Sequence, residues 1–494
     1  MSKHKSVWLD TGAPLAPPSS NVTTADTIVV GAGATGLLTA VELQRRGQRI
    51  LLVDPRAPGS GTTGHTTGKV TSQHGVVYQD LVGSGGEAQA RRYGQANEWA
   101  VGAIAELVAE AAIDCDFTRE TAYLFTEREE GLATLEAELQ AAQSAGIAAT
   151  LQDAPLHFLQ HPALGFPNQA RLHAGRFVSG LLALFLERGG AFRQERAIAL
   201  DADSGGVRIE TGAARLEAGA SVVATLYPFD DHVLFAPRMV PKQHHGTAFR
   251  VRTPPIQGMY LGVDDPTFSL RWTEADGGLL IAVGKSHRVG EVDEDPYAAL
   301  GAYVRQRFDV VEERYRWSAH DQHTPDKIPY IGRYSVKGFP MFTATGFRAW
   351  GLTHAMVASR LLSDLIEGRE NPWQDLYDPL RIKPVSTAAT VAKQAVSTLK
   401  HLVFERLRTS DTIENLAVGE AATVREEGHQ VGAYRDPSGV VHLVSLNCTH
   451  LGCVLAWDPY DHTWSCPCHG SRFDHTGAVL YGPATQGIGI SPTT

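Results

Sequence analysis

Long apolar runs are missing from this chain. No stretch of about eighteen apolar residues occurs, so no membrane-spanning helix is expected. The opening residues MSKHKSVWLDTGAPLAPPSS hold neither the apolar core of a secretory signal nor a twin arginine. They read as a disordered leader over 1–24, and the expected compartment is the cytoplasm. An excess of basic residues is missing too. Lys+Arg 44 against Asp+Glu 54 gives a net charge of −10, which argues against nucleic acid as a partner. Cysteine is scarce, with five in 494 residues, and four of them (Cys448, Cys453, Cys466 and Cys468) fall within 21 residues. Cys115 stands alone and reads as a small core residue. No internal repeat or low-complexity tract stands out.

What is present starts with size: 494 residues, 43% of them hydrophobic, suffice for two or three domains. Thr27–Val30 is a β-branched run that reads as a buried strand. Gly31, Gly33 and Gly36 follow in a Gly-x-Gly-x-x-Gly turn. Leu37, Leu38, Val41 and Leu43 then recur at helical spacing up to Gly47, and Ile50–Val53 is a second strand ending in Asp54. Such a β-α-β unit opens a doubly wound α/β domain. Gly31 permits the tight turn, Gly33 lets backbone approach a pyrophosphate, and Gly36 lets helix and strand close up. The helix N-terminus favours phosphate, and Asp54 suits ribose hydroxyls. The motif itself does not separate NAD from FAD. No second such motif follows a strand, so a nicotinamide donor is not favoured.

Further segments match a known family: GTTGHTTGKVTSQHG (61–75), VVATLYPF (222–229), DQHTPDKIPYIGR (321–333) and ATGFRAWGLTHAMVASRLLSDLI (344–366). With the glycine motif they resemble the FAD-dependent glycine/D-amino-acid oxidase superfamily over roughly 25–370. The resemblance implies bound FAD, with Thr62, Thr63, His65, Thr66 and Thr67 beside it. Thr345, Gly346, Phe347 and Gly351 would meet the flavin ring. It also implies a mixed-sheet substrate domain inserted at about 90–170 and 241–325. In the dimethylglycine-dehydrogenase branch, a histidine in a context like that of His65 bonds covalently to the flavin. His65 is read either in that way or as a hydrogen-bonding neighbour.

The cysteine block reads Cys448-Thr-His450-Leu-Gly-Cys453 and Cys466-Pro-Cys468-His469-Gly-Ser471, with fifteen residues between His450 and Cys466. Each loop supplies one thiolate and one imidazole, the ligand set of a Rieske [2Fe–2S] centre. Cys448, His450, Cys466 and His469 are the expected ligands. A Cys₂His₂ zinc site fits the ligand count, but the H-x₃₋₅-H pair of a finger is absent. The block resembles the Rieske proteins of cytochrome bc complexes. That resemblance implies a disulfide between Cys453 and Cys468, a cluster-tuning hydroxyl at Ser471, and a covering loop at Gly482-Pro483-Ala484. Where those proteins carry a tuning tyrosine, this chain has Phe473, so a lower reduction potential is expected.

The expected architecture is therefore a Rossmann-like FAD domain with an inserted substrate domain (25–370), a partly helical linker (371–410) and an all-β Rieske domain (411–494). Residues from about 90 to 170 read as mainly helical. Together the sites imply a flavin-dependent oxidoreductase: a small organic substrate, an amine or amino acid by family resemblance, gives a hydride to FAD. Electrons then pass singly through the cluster to an external protein or quinone acceptor. Two other readings stand beside it: a redox carrier or sensor with little turnover of its own, and an enzyme acting at a saturated C–C or C–O bond. An amino-acid carboxylate calls for an arginine. Arg348 is the first candidate for a catalytic residue, followed by Arg271, Arg288 and Arg333. His244, His245, His320 and His323 are candidate acid/base groups, and Asp326 reads as a loop-orienting residue.

Overall fold

A computed structural model describes residues 2–13, 15–153, 156–292, 294–381, 413–426 and 429–490. The expected linker helix falls largely outside them. The first sheet has eight strands. Its central path runs Tyr330–Arg333, Met341–Thr345, Arg215–Val223, Thr24–Val30, Ile50–Val53 and Ala191–Arg193. The four inner pairings of this path, from Met341–Thr345 to Ala191–Arg193, are parallel. Val29, Leu51, Leu52 and Val53 are fully buried, as expected of a sheet covered on both faces. Helix Ala34–Arg45 packs on helices Gly351–Ile366 and Ala174–Glu187. Two helix N-termini thus meet at one edge of this sheet, which is where doubly wound folds bind ligands.

The second sheet has ten strands. Val310–His323 pairs with Val240–Val251 in antiparallel register, and Leu279–Arg288, Phe268–Thr273 and Met259–Gly262 follow. Thr118–Phe125, Ala163–Arg171 and Lys69–Val70 complete the path, and Thr150–Gln152 pairs with Ala163–Arg171. The 90–170 region is therefore not mainly helical. Helices Val77–Glu110 and Leu132–Ser144 are there, but three strands between and after them join this sheet. Strand pairing with Met259–Gly262, far away in sequence, holds Thr118–Phe125 extended, and that partner leaves no local signal.

The leader is also corrected. Lys3–His4 pairs with Tyr315 and Arg316 as an edge strand. Ser6 caps a short helix, Val7–Thr11, by accepting from Trp8 N–H. Val7 and Trp8 are wholly buried. Trp8 Nε1 donates to Thr66 O at 2.5 Å, and the Arg271 guanidinium stacks on the ring at 5.1 Å. One turn of helix carries no periodicity, so nothing in the sequence distinguished it from a tail.

The C-terminal part is all-β. A three-stranded sheet (Ala421–Glu426, His429–Arg435, Val441–Ser445) sits beside a four-stranded one (Ala456–Asp458, Thr463–Ser465, Arg472–Asp474, Val479–Tyr481). It docks on the flavin domain through a buried polar network around Asp461. That carboxylate accepts from Arg472 Nη2 (2.7 Å), Gln243 Nε2 (2.9 Å) and Tyr297 OH (2.6 Å), and His4 Nε2 lies 2.9 Å away. Arg472 also donates to Ser318 Oγ at 2.8 Å. Burial by itself would raise the Asp461 carboxyl. The Arg472 charge and the His4 contact outweigh burial and hold it well below the usual range.

Two substitutions test this packing. Trp8→Ala should cost about 3–5 kcal/mol, measured by urea unfolding of the flavin-bound protein. Asp461→Asn leaves Arg472 buried without its counter-charge, at a cost of about 3–5 kcal/mol, which should lower the urea midpoint read from cluster absorbance. Because the folded carboxyl is held down, its contribution is complete above the unfolded pKa of about 4 and fades as acid passes below it. The Asp461→Asn midpoint should accordingly vary less than wild type between about pH 5 and pH 3.

Candidate flavin and iron-sulfur sites

The glycine turn is built for close approach. Gly31 has φ +108°, and a Cβ there would lie 2.5 Å from Ala224 O. A Cβ on Gly36 would lie 1.8 Å from Gly31 O, so helix and strand meet only through glycine. Asp54 accepts from Ala32 N–H and Arg56 N–H, both at 2.9 Å. Thr63 Oγ1 accepts from Ala34 N–H at the helix start.

These groups open onto a cavity of about 550 Å³. Its lining includes Gly31, Gly33 and Asp54, the run Thr62, Thr63, His65, Thr66 and Thr67, and Thr345, Gly346, Phe347 and Gly351. Gly36 is a packing residue behind the wall. The donor set fits FAD: a glycine turn and helix N-terminus would suit phosphates, a carboxylate would suit ribose hydroxyls, and a second helix N-terminus would suit an anionic ring. Sequence reading missed Lys69, Arg56 and Tyr227, which also line the cavity. Lys69 Nζ donates to Tyr260 O and Ser269 Oγ, and burial pushes its amine down to about 7.

His65 is held firmly. Its Nδ1 lies 2.8 Å from Gly61 O and 3.4 Å from Tyr481 OH, and its carbonyl accepts from Trp317 Nε1 at 2.9 Å. Burial pushes its imidazole down to about 4, so it is neutral at physiological pH.

Of the four candidate arginines, Arg348 alone lines the cavity. Its Nη1 donates to Lys327 O at 3.3 Å, and among the described residues no carboxylate forms an ion pair with it. Arg271 is spent on Gly68 O and Leu172 O, Arg333 on Gly338 O and Phe339 O, and Arg288 points to Pro467 O. Asp326 pairs with Arg381 at 2.9 Å and so fixes its loop.

The candidate histidines lie on two paired strands. Cross-strand partners share a face, and the register pairs Lys242 with Asp321, His244 with Ala319, and Gln243 with His320. Lys242, His244, Asp321 and His323 line the cavity, and so do His245 and His320. From the intervening positions, Gln243 reaches Asp458 and Asp461, His320 Nδ1 lies 3.1 Å from Gly470 O, and Gln322 Nε2 donates to His469 O at 3.0 Å.

In the second site, loops 448–453 and 466–471 close on each other. Cys448 and Cys466 are buried free thiols, while Cys453 and Cys468 form the expected disulfide. The His450 and His469 rings stand 5.0 Å apart at 89°. Their Nδ1 atoms are enclosed with no hydrogen-bond partner among the described residues. Two thiols and two orphaned imidazole nitrogens suit a cluster with two ligands on each iron. Ala484 N–H donates to Ser471 Oγ at 3.0 Å, so the covering loop is tied to the second cluster loop. Phe473 is fully buried. Tyr227 lies between the two sites: its ring is 6.2 Å from that of His450 and 5.8 Å from that of His469.

Comparison with known proteins agrees with this geometry. The family model described as FAD dependent oxidoreductase matches residues 26–365. The chain belongs to this FAD-dependent oxidoreductase family. The model of the Rieske [2Fe-2S] domain matches residues 409–492, so this family member carries both FAD and a [2Fe–2S] cluster. It is 36% identical over 485 residues to the Rieske 2Fe-2S iron-sulfur protein YhfW of Bacillus subtilis (strain 168), covering 96% of this chain and 95% of that one. It is 50% identical over 64 residues to the cytochrome b6-f complex iron-sulfur subunit 2 of Trichormus variabilis, covering 13% of this chain and 31% of that one. In fold it is similar to glycine oxidase from Geobacillus kaustophilus, with TM-score 0.61 and 18% identity, over 73% of this chain and 100% of that one. L-proline dehydrogenase from P. horikoshii gives TM-score 0.60 and 17% identity over 73% of this chain and 98% of that one. Among the described residues, no helix of this oxidoreductase is long and apolar enough to cross a membrane.

Phe473→Tyr should raise the cluster potential, because a hydroxyl near the ligand sulfurs stabilises the reduced state; protein-film voltammetry reads the shift, and an unchanged potential refutes it. Acid denaturation and centrifugation test His65. If His65 is a hydrogen-bonding neighbour, the yellow colour should stay in the supernatant; colour in the pellet would instead mark a covalent flavin, through the Nε2 that the Nδ1 contact to Gly61 O leaves free.

Proposed function

We propose that this protein oxidises a small amine, such as a carboxylate-bearing amino acid, in the cytoplasm and exports the electrons one at a time to an external protein or quinone acceptor. FAD, when bound, supplies hydride acceptance, and the cluster supplies one-electron carriage. The observation that carries the reading is the position of Tyr227: it lines the flavin cavity and contacts the rings of both cluster histidines. One aromatic side chain thus spans the gap between an oxidising pocket and a one-electron centre.

The chain's own residues support the substrate class. The Arg348 guanidinium is available to a carboxylate as a fork of donors. Lys242 adds a second cation on the same wall. Strands of the second sheet and Leu480, Tyr481 and Pro483 of the Rieske domain line the cavity, and the lower dielectric among them strengthens these charge contacts. Gly61, Tyr481 and Trp317 hold His65 in one orientation at the cavity's side.

Anaerobic mixing with a panel of amines and amino acids tests the proposal, followed by absorbance and electron paramagnetic resonance. Flavin bleaching followed by the reduced-cluster signal is expected with at least one carboxylate-bearing amine. Reduction only by a partner protein would replace this reading with that of a carrier. Arg348→Met should slow bleaching by such a substrate about 10- to 100-fold and leave the rate with a neutral amine nearly unchanged.

A further inference from the structure

His244, Asp321 and His323 form a group with no assigned role in the relay. The two imidazoles and the carboxylate each offer one ligand atom, and these atoms lie within 4.8 Å of one another. The imidazole rings stand 5.9 Å apart and nearly parallel, at 21°. Asp321 is 4% exposed, and its Oδ1 accepts from Gln322 N–H. Its Oδ2 and the Nε2 atoms of His244 and His323 are enclosed and have no hydrogen-bond partner among the described residues. These three unpaired polar atoms lie close enough together for one common partner to satisfy all of them.

We propose that His244, Asp321 and His323 bind one divalent first-row transition-metal ion at the cavity wall. Two imidazole nitrogens and one carboxylate oxygen suit zinc, manganese, iron or cobalt, and are too few and too nitrogen-rich for calcium or magnesium. The strand register supports a fixed geometry. Asp321 and His323 are two residues apart on one face of Val310–His323, and His244 is on the same face of the paired strand. Three ligands on one side of the ion leave its other positions toward the cavity. Lys242 and Arg348 stand on the same wall, and their charge opposes a bare cation. An anionic ligand entering from the cavity would balance that charge. The protein would then hold its substrate by an inner-sphere contact as well as by Arg348.

The test needs no substrate, so its outcome is separate from that of the proposed oxidation. Mn²⁺ alone is titrated into the oxidised holoprotein, whose flavin and cluster are silent in electron paramagnetic resonance, and free Mn²⁺ is read from its own signal. One equivalent should bind and be displaced by Zn²⁺. His244→Gln and Asp321→Asn should each weaken binding at least about tenfold, with the flavin spectrum and the reduced-cluster signal retained as the measure of folding. If one variant loses those signals, the other and His323→Gln carry the comparison. Failure of wild type to bind Mn²⁺ or Zn²⁺ stoichiometrically overturns the proposal. Equal binding by wild type and variants, which would place the ion on surface carboxylates, also overturns it.

Discussion

A carboxylate removed from water costs several kcal/mol unless its lone pairs are met. Asp461 is removed almost completely and is met by donors from two parts of the chain besides its own: Gln243 and Tyr297 from the substrate domain, and His4 from the N-terminal strand, with Arg472 from the Rieske domain itself. This satisfaction exists only when all three parts are assembled. The network therefore sets the position of the Rieske domain. That position in turn brings His450 and His469 against Tyr227 and brings Tyr481 against His65.

The N-terminal segment shares in this. Its strand carries His4 to Asp461, and one turn of helix later Trp8 donates to the carbonyl of Thr66, in the segment along the cavity. A stretch of nine residues, Lys3–Thr11, so links the docking network to the flavin wall. Nothing in its composition announced that. Its buried residues are Ser6, Val7 and Trp8, and burial comes from tertiary partners such as Arg271 and His173.

What could be read from the sequence followed from chemistry with strict local demands. Gly31 and Gly36 are legible because backbone atoms come too close there for any side chain. Cys448, His450, Cys466 and His469 are legible because a cluster needs those atoms at that spacing. The disulfide and the cavity-lining threonines came through family likeness. Strands whose partners lie far off in sequence were not legible: Thr118–Phe125 was hidden between helices because its parallel partner is Met259–Gly262. Nor was Tyr227, whose importance lies in what is opposite it. The candidate arginines could not be ranked by type. Only the fold separates Arg271, spent on two carbonyls beneath Trp8, from Arg348 at the cavity wall.

The alternation along Val310–His323 has a consequence for how such a protein can change. Asp321 faces the cavity, while its neighbours His320 and Gln322 reach the carbonyls of Gly470 and His469. A substitution that reshapes the pocket for a new substrate also shifts the backbone from which the cluster loop hangs. Substrate preference and the pace of electron delivery are therefore inherited together on one ribbon. Directed evolution that selects for one of them should pull the other along, and variants that separate the two should need paired changes on neighbouring residues.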